Sequence, residues 1–335
     1  MNEGKAQAEH LHEIDVLYAI GTLLAILGHS HPNDWNAFPG EWIEFIYLFH
    51  MPLFFLIAGF LFAASKRIEQ LNFGRWLWEK ALRLLTPYFV LSALALVPKY
   101  ALEHSGISDL TPEYILTAFF VPRQNVWGHF WFLPVLFFLY FLFGLLRKSG
   151  VTNRIGWMTV LFTLTVGLHF WKPEIQWLGV KDICDYAVYF FAGFVLHGLY
   201  VKRTAELSSR VYFILFISTL AVSIAMYYVM AGSWYRNLLI SAMMLSCCWA
   251  LGQLLKGYKT PALDFISQYV FTFYIYSWFA QAIVERLCAH LQSSWTTVTP
   301  AMFVAGLVVP TMVGWLYSKL GIHCRFLDLL LGIRK

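Results

Sequence analysis

Apolar runs of about twenty residues recur from one end of the chain to the other, and this constrains the fold more than any motif does. A hydrocarbon core of about 30 Å takes about twenty helical residues, and with no water inside it a spanning segment must satisfy its backbone polar groups internally. Ten segments read as such helices: 15–31, 42–64, 82–102, 127–146, 155–171, 183–200, 211–231, 236–254, 265–286 and 299–318. Composition agrees, with 59% hydrophobic and 13% charged residues where a soluble domain carries about 25% charged. The expected fold is an all-α, polytopic membrane helical bundle of about ten transmembrane helices. Residues 1–335 form a single integral-membrane domain in this reading, with no separate soluble domain.

Basic residues orient the bundle, because Lys and Arg accumulate in cytoplasmic loops. With the N-terminus inside, eighteen of the 24 Lys and Arg residues fall on the cytoplasmic side. An N-in, C-in topology follows. The net charge of +5 belongs to this bias and calls for no nucleic-acid partner. The first apolar run ends in Gly28-His29-Ser30-His31-Pro32, not in a small-residue cleavage site, so it reads as a retained helix. The five cysteines show no C-x-x-C spacing and are expected as isolated thiols. No internal repeat is visible, and the longest outer loop, 103–126, is a candidate lid over an external site.

Within the first run, Asp15, Tyr18, Thr22, Ala25 and His29 share one side of a helix. Such a polar stripe is costly against lipid and is a functional hypothesis by default. His29 lies at its outer end, with Tyr18 about 16 Å below it. The second run enters from outside, and His50 sits about three turns down in Phe49-His50-Met51-Pro52, where Pro52 frees backbone carbonyls. His129 lies at the outer mouth of the fourth run, beside Trp131. A neutral imidazole suits general-base work on a hydroxyl, whereas His29 and His31 cannot share a helical face and make a poor metal site, so no metal is expected. On the cytoplasmic side, Lys80 and Arg83 stand one turn apart and suit a phosphorylated ligand; topological anchoring accounts for them equally.

Four ordered motifs carry a resemblance. Asp15-x-x-Tyr18 through Gly28-His29-Ser30, Phe49-His50-Met51-Pro52-Leu53-Phe54-Phe55 with Gly59-Phe60-Leu61-Phe62, Lys80-x-x-Arg83-x-x-x-Pro87-Tyr88, and His129-Phe130-Trp131-Phe132-Leu133-Pro134 together resemble the acyltransferase 3 family of bacterial membrane O-acyltransferases, and within it the fucose 4-O-acetylase-like branch. The resemblance implies a multi-pass enzyme of the bacterial cytoplasmic membrane. It would move an acyl group, usually acetyl from cytosolic acetyl-CoA, to a hydroxyl of an extracellular or cell-surface glycan or its precursor. It assigns His29 as general base or acyl carrier and Lys80 and Arg83 as CoA contacts. The family usually has Arg or Lys eleven residues before the histidine; this chain has Tyr18. Another cation, Lys80 or Arg83, takes that role, or donor binding differs, or activity is lost.

The expected mechanism has His29 taking the proton of the acceptor hydroxyl, with His50, Ser30 or Tyr18 as oxyanion donors. Tyr18, Lys80 and Arg83 fall on the donor side. Glu41, Glu44, His129 and Trp131 are expected on the acceptor side, and one of Asp34, Glu41 and Glu44 would orient an imidazole. The acceptor glycan, acetyl-CoA, the bilayer and glycan biosynthesis or export proteins are the implied partners. Two readings compete: a proton-coupled transporter or glycan exporter without acyl transfer, and an inactive scaffold of a glycan-assembly complex.

Overall fold

A computed structural model describes residues 11–32, 40–103, 111–258, 261–320 and 324–331; Asp34 lies outside them. Every regular element among the described residues is helical: α1 (His12–Gly28), α2 (Glu41–Ala64), α3 (Arg67–Gln70), α4 (Phe73–Glu103), α5 (Pro112–Phe120), α6 (Phe132–Lys148), α7 (Ile155–Trp171), α8 (Val180–Lys202), α9 (Ser209–Val229), α10 (Arg236–Leu255), α11 (Pro261–Gln268), α12 (Val270–His290), α13 (Trp295–Leu320) and α14 (Arg325–Leu331). Nine of the ten expected spans each overlap one of these helices, and 265–286 is divided between α11 and α12. Seven stretches are long and apolar enough to cross a membrane: α2, Phe73–Val97 of α4, Gly128–Lys148, Trp177–Lys202, α9, α10 and α13. The other three are α7, apolar but only 17 residues long, α1, also 17 residues with Glu13 and Asp15 in its first turn, and α12, which carries Gln281, Glu285 and Arg286.

Several helices are built inside out relative to those of a soluble protein. In α9 the buried residues are Tyr212, Thr219, Ser223 and Tyr227, while Phe213, Ile214, Ile217, Val222 and Ile224 are exposed. In α7, Leu161, Thr165 and His169 are buried at a spacing of four, and Trp157, Val160, Phe162 and Leu164 face out. Lipid is as apolar as a leucine side chain, so small and polar residues gain by turning inward and large aliphatic ones lose nothing by turning outward. All five cysteines are free thiols.

The chain forms two compact units. The first comprises residues up to Ile57, Val201–His323 and Leu331–Lys335. Here α1 is central: none of its residues is exposed, and it packs against α10, α11, α12 and α13. The proline in α2 has the consequence expected of it. Pro52 has no N–H to offer the Leu48 carbonyl one turn back, and Ser241 of α10, fully buried, donates its hydroxyl to that oxygen at 2.5 Å. The same repair recurs in α13. Pro310 leaves the Gly306 carbonyl free, and Ser277 of α12 donates to it at 2.9 Å.

The second unit comprises Ala58–Tyr200 and Cys324–Leu330. Its centre is aromatic: Phe190 of α8 lies 4.8 Å from Phe143, 5.6 Å from Tyr140 and 5.6 Å from Phe62, ring centroid to ring centroid. At the C-terminal end of α2, where the last carbonyls have no helical partner, Arg147 of α6 donates to the Phe62 carbonyl at 2.5 Å and pairs with Glu69 at 2.6 Å. Residues 111–126 are tied to α4 and to one another. Thr111 caps α5, Tyr88 of α4 donates to the Phe119 carbonyl at 2.9 Å, and buried Asn125 donates to Ser92 at 2.9 Å and to the Ala118 carbonyl at 2.8 Å.

Candidate active site

The first unit brings His29 and His50 together. α1 stops at Gly28, and His29 is its C-cap; His50 projects from the middle of α2. Their rings stand edge to face with centroids 6.4 Å apart, and Tyr47, one turn before His50, lies 5.9 Å from His29 and 5.2 Å from His50. The Tyr47 hydroxyl donates to the Gly28 carbonyl at 2.8 Å, with His31 Nε2 at 3.3 Å and His29 Nδ1 at 3.5 Å from the same oxygen. His50 Nδ1 lies 3.1 Å from the Ile46 carbonyl. A carbonyl only accepts, so that nitrogen carries the proton and the neutral ring presents Nε2 as a lone pair.

Behind this group, Gln281 of α12, 1% exposed, donates to the Ile26 carbonyl at 2.8 Å and to Ser30 Oγ at 2.9 Å, while Ser30 donates to Ile26 at 2.7 Å. The last carbonyls of α1 are therefore all engaged. Ala25 and Leu27 accept from the backbone of His29 and Ser30, Ile26 from Ser30 and Gln281, and Gly28 from Tyr47. This end of a helix normally leaves its carbonyls to water; here two neighbouring helices take them, and His29 is fixed with the terminus. Because the single proton of Ser30 goes to Ile26, that hydroxyl is committed and does not face outward as an oxyanion donor.

The other predicted residues of this unit lie apart from the imidazoles. Tyr18 is half-buried in α1, its ring 6.4 Å from that of Phe54. Glu44 and Glu41, both exposed in the first turn of α2, accept from the hydroxyls of Tyr227 at 2.9 Å and Tyr228 at 3.3 Å. They form no ion pair with either histidine. Arg236 lies over the Tyr227 ring, 4.3 Å from its centroid.

In the second unit, Lys80 stands over two aromatic faces, 4.3 Å from the centroid of Tyr140 and 5.7 Å from that of Trp76. Cation–π contact holds an ammonium in place without neutralising it. Arg83, one turn on, is half-buried. His129 is half-buried against Phe130, with ring centroids 4.7 Å apart. Trp131 is buried: the Arg123 guanidinium lies 3.7 Å from its ring centroid and the Tyr186 ring, tilted by 33°, lies 5.1 Å away. Arg123 also reaches the Asp182 carboxylate at 2.7 Å. Burial works against the Arg123 cation, and this carboxylate more than offsets it, so the group is held above its ordinary pKa.

Reasoning from the sequence missed Tyr47 and Gln281. Tyr47 had a signal, since it precedes His50 by three residues and so shares its face. Gln281 had a weaker one, as a primary amide in an otherwise apolar run.

Comparison with known proteins places this arrangement. A segment of 161 residues, 46% of the chain, is 26% identical to "Nodulation protein NolL" of Sinorhizobium fredii (strain NBRC 101917 / NGR234) and covers 41% of that protein, less than half its length. No solved structure matches. The model of the acyltransferase 3 family, described as an acyltransferase domain, matches residues 11–318 and so takes in both the imidazole cluster and the Lys80/Arg83 pair; the chain belongs to that family.

Proposed function

We propose that this acyltransferase moves an acetyl group from cytosolic acetyl-CoA to a hydroxyl of a cell-surface or extracellular glycan or its precursor, and that it lies in the bacterial cytoplasmic membrane with both termini inside, in the fucose 4-O-acetylase-like branch of its family. The observation that carries the reading is the meeting of His29 and His50, 6.4 Å apart, at the capped end of α1. Lys80 and Arg83 bind the phosphates of CoA from the cytoplasmic side, and with Tyr18 uncharged they are the cations assigned to that task. Glu41, Glu44, His129 and Trp131 are the acceptor-side residues in this reading. Glycan biosynthesis or export proteins are the partners that would deliver the acceptor.

In the reaction, His29 removes the proton of the acceptor hydroxyl as its oxygen attacks the thioester carbonyl. The resulting oxyanion forms beside the imidazolium of His29, whose positive charge offsets it. Collapse breaks the carbon–sulfur bond and leaves the ester. The CoA thiolate takes up the proton that His29 holds.

The test is mass spectrometry of the surface glycan from cells with the protein, without it, and with His29→Ala. The proposal expects an acetyl mass increment that both altered strains lose. Loss of the unmodified polymer from the surface of the deletion strain would point to an exporter instead, and an unchanged increment in His29→Ala would end the assignment of the base.

A further inference from the structure

We infer that Tyr47 is a positioning residue for His29, and that its phenol oxygen selects which nitrogen of that imidazole acts as the base. The phenol has one proton and two lone pairs. Gly28 belongs to the last turn of α1, so its carbonyl has no helical partner, and at 2.8 Å it is the nearest acceptor to the Tyr47 hydroxyl. It takes the one proton. His29 Nδ1, 3.5 Å from the same oxygen, then faces lone pairs and makes a hydrogen bond only if it carries a hydrogen of its own. The neutral His29 is thereby held as the Nδ1–H tautomer, with Nε2 left as the lone pair. The contact is long, as catalytic hydrogen bonds often are before substrate binds.

The arrangement is also rigid. The Tyr47 ring packs on Gly28, where an added Cβ would lie 3.0 Å from its ring edge, and His31 approaches the hydroxyl from its own side at 3.3 Å. In function Tyr47 resembles the groups that orient a catalytic imidazole through the nitrogen not used in the reaction, although here the orienting atom is a neutral phenol. Only the kinetic part of this inference rests on the acyl-transfer reading.

The test uses full-length protein in detergent with 15N-labelled histidine, the His29 signals being assigned by their loss in His29→Gln. In the wild type, Nδ1 of His29 should resonate as a protonated nitrogen and Nε2 as an unprotonated one. Tyr47→Phe, which keeps the ring, should leave a mixture of the two tautomers. Gln281→Leu is the control: it removes the cap on Ile26 and Ser30 without touching the His29 ring, and should leave the tautomer unchanged. An Nε2–H tautomer in the wild type overturns the inference whether or not any variant folds, and so does an equal mixing in Gln281→Leu. With acetyl-CoA as donor and a glycan extract as acceptor, Tyr47→Phe should lower kcat about tenfold, misplacement of a base by a fraction of an ångström being enough, with KM for acetyl-CoA unchanged. A raised KM at constant kcat refutes the positioning role. A tautomer shift in a protein whose wild type transfers no acetyl group would sink the acyl-transfer reading and leave the positioning role standing.

Discussion

Replacing Gly59 by alanine should markedly destabilise the second unit. A Cβ at this position would sit on the backbone of α8, overlapping the Phe190 carbonyl oxygen and lying 2.8 Å from its carbonyl carbon and 3.1 Å from its Cα. Carbon atoms in contact prefer about 3.5–4.0 Å, so the two helix backbones must part by about 1 Å. Backbone cannot swing aside as a side chain does, and Phe190 is fully buried, wedged against Phe143, Tyr140 and Phe62. Overpacking of this kind costs about 1–3 kcal/mol, and the rigid obstacle puts Gly59→Ala at the upper end. The matched control is Gly167→Ala in α7, where an added Cβ meets nothing within 4 Å and helix propensity alone predicts a gain of up to about 1 kcal/mol. Thermal unfolding in detergent, followed by tryptophan fluorescence, should rank the proteins Gly167→Ala, wild type, Gly59→Ala. If Gly59→Ala unfolds with the wild type, the close approach of α2 and α8 is wrong.

Three further outcomes follow from the same contacts. Ser241→Ala should destabilise by about 1–3 kcal/mol, the usual cost of an unpaired buried polar group, because it strands the Leu48 carbonyl that Pro52 has freed; Pro52→Ala in the same protein, read by the same unfolding assay, should recover part of the loss, and no recovery would refute the repair. Lys80→Ala with Arg83→Ala should weaken acetyl-CoA binding at least tenfold by calorimetry, and unchanged binding would remove both from the donor side. At the surface, hydrogen bonding to Lys256 holds the Glu206 carboxyl below its ordinary pKa, assisted by the charges of Lys256 and Arg203. A depressed carboxylate pKa stabilises the fold above the unfolded value of about 4.3 and ceases to do so as pH falls below it, so any stability difference between wild type and Glu206→Gln should shrink between pH 6 and pH 3; a difference constant across that range would contradict the pairing.

Helix positions were legible because apolar run length answers directly to bilayer thickness. Where the structure departs from that reading, polar residues are the reason. α4 begins at Phe73, nine residues before the expected 82, because Arg75, Glu79 and Lys80 interrupt the apolar run while Trp76 between them is buried. The expected span 265–286 is divided at Tyr269, whose backbone is not helical, into α11 and α12. α5 was hidden in what reads as an outer loop. In the site, His29 and His50 stood out as imidazoles in apolar surroundings, which is rare enough to notice. Tyr47 is one of 18 tyrosines, set apart only by standing three residues before His50 on the same helical face. Gln281 meets Ser30 across 251 positions of sequence, a pairing that only the packed helices reveal.

The placement of His29 follows from how α1 ends. A helix terminus carries the equivalent of about half a negative charge on its free carbonyls, and burying it without partners would be prohibitive. Tyr47, Ser30 and Gln281 supply those partners, which lets the terminus lie inside the unit instead of in water. An imidazole at that C-cap then sits at the negative end of an aligned dipole. When His29 takes a proton from the acceptor hydroxyl, the positive charge forms next to carbonyls already fixed in place, so little reorganisation is needed as the transition state is reached. The two roles are separable. Gln281 and Ser30 hold the terminus, and Tyr47 both holds it and touches the ring, so losing Gln281 should lower stability and leave the chemistry of the surviving folded protein largely intact, whereas losing the Tyr47 hydroxyl should reduce turnover in protein that still folds.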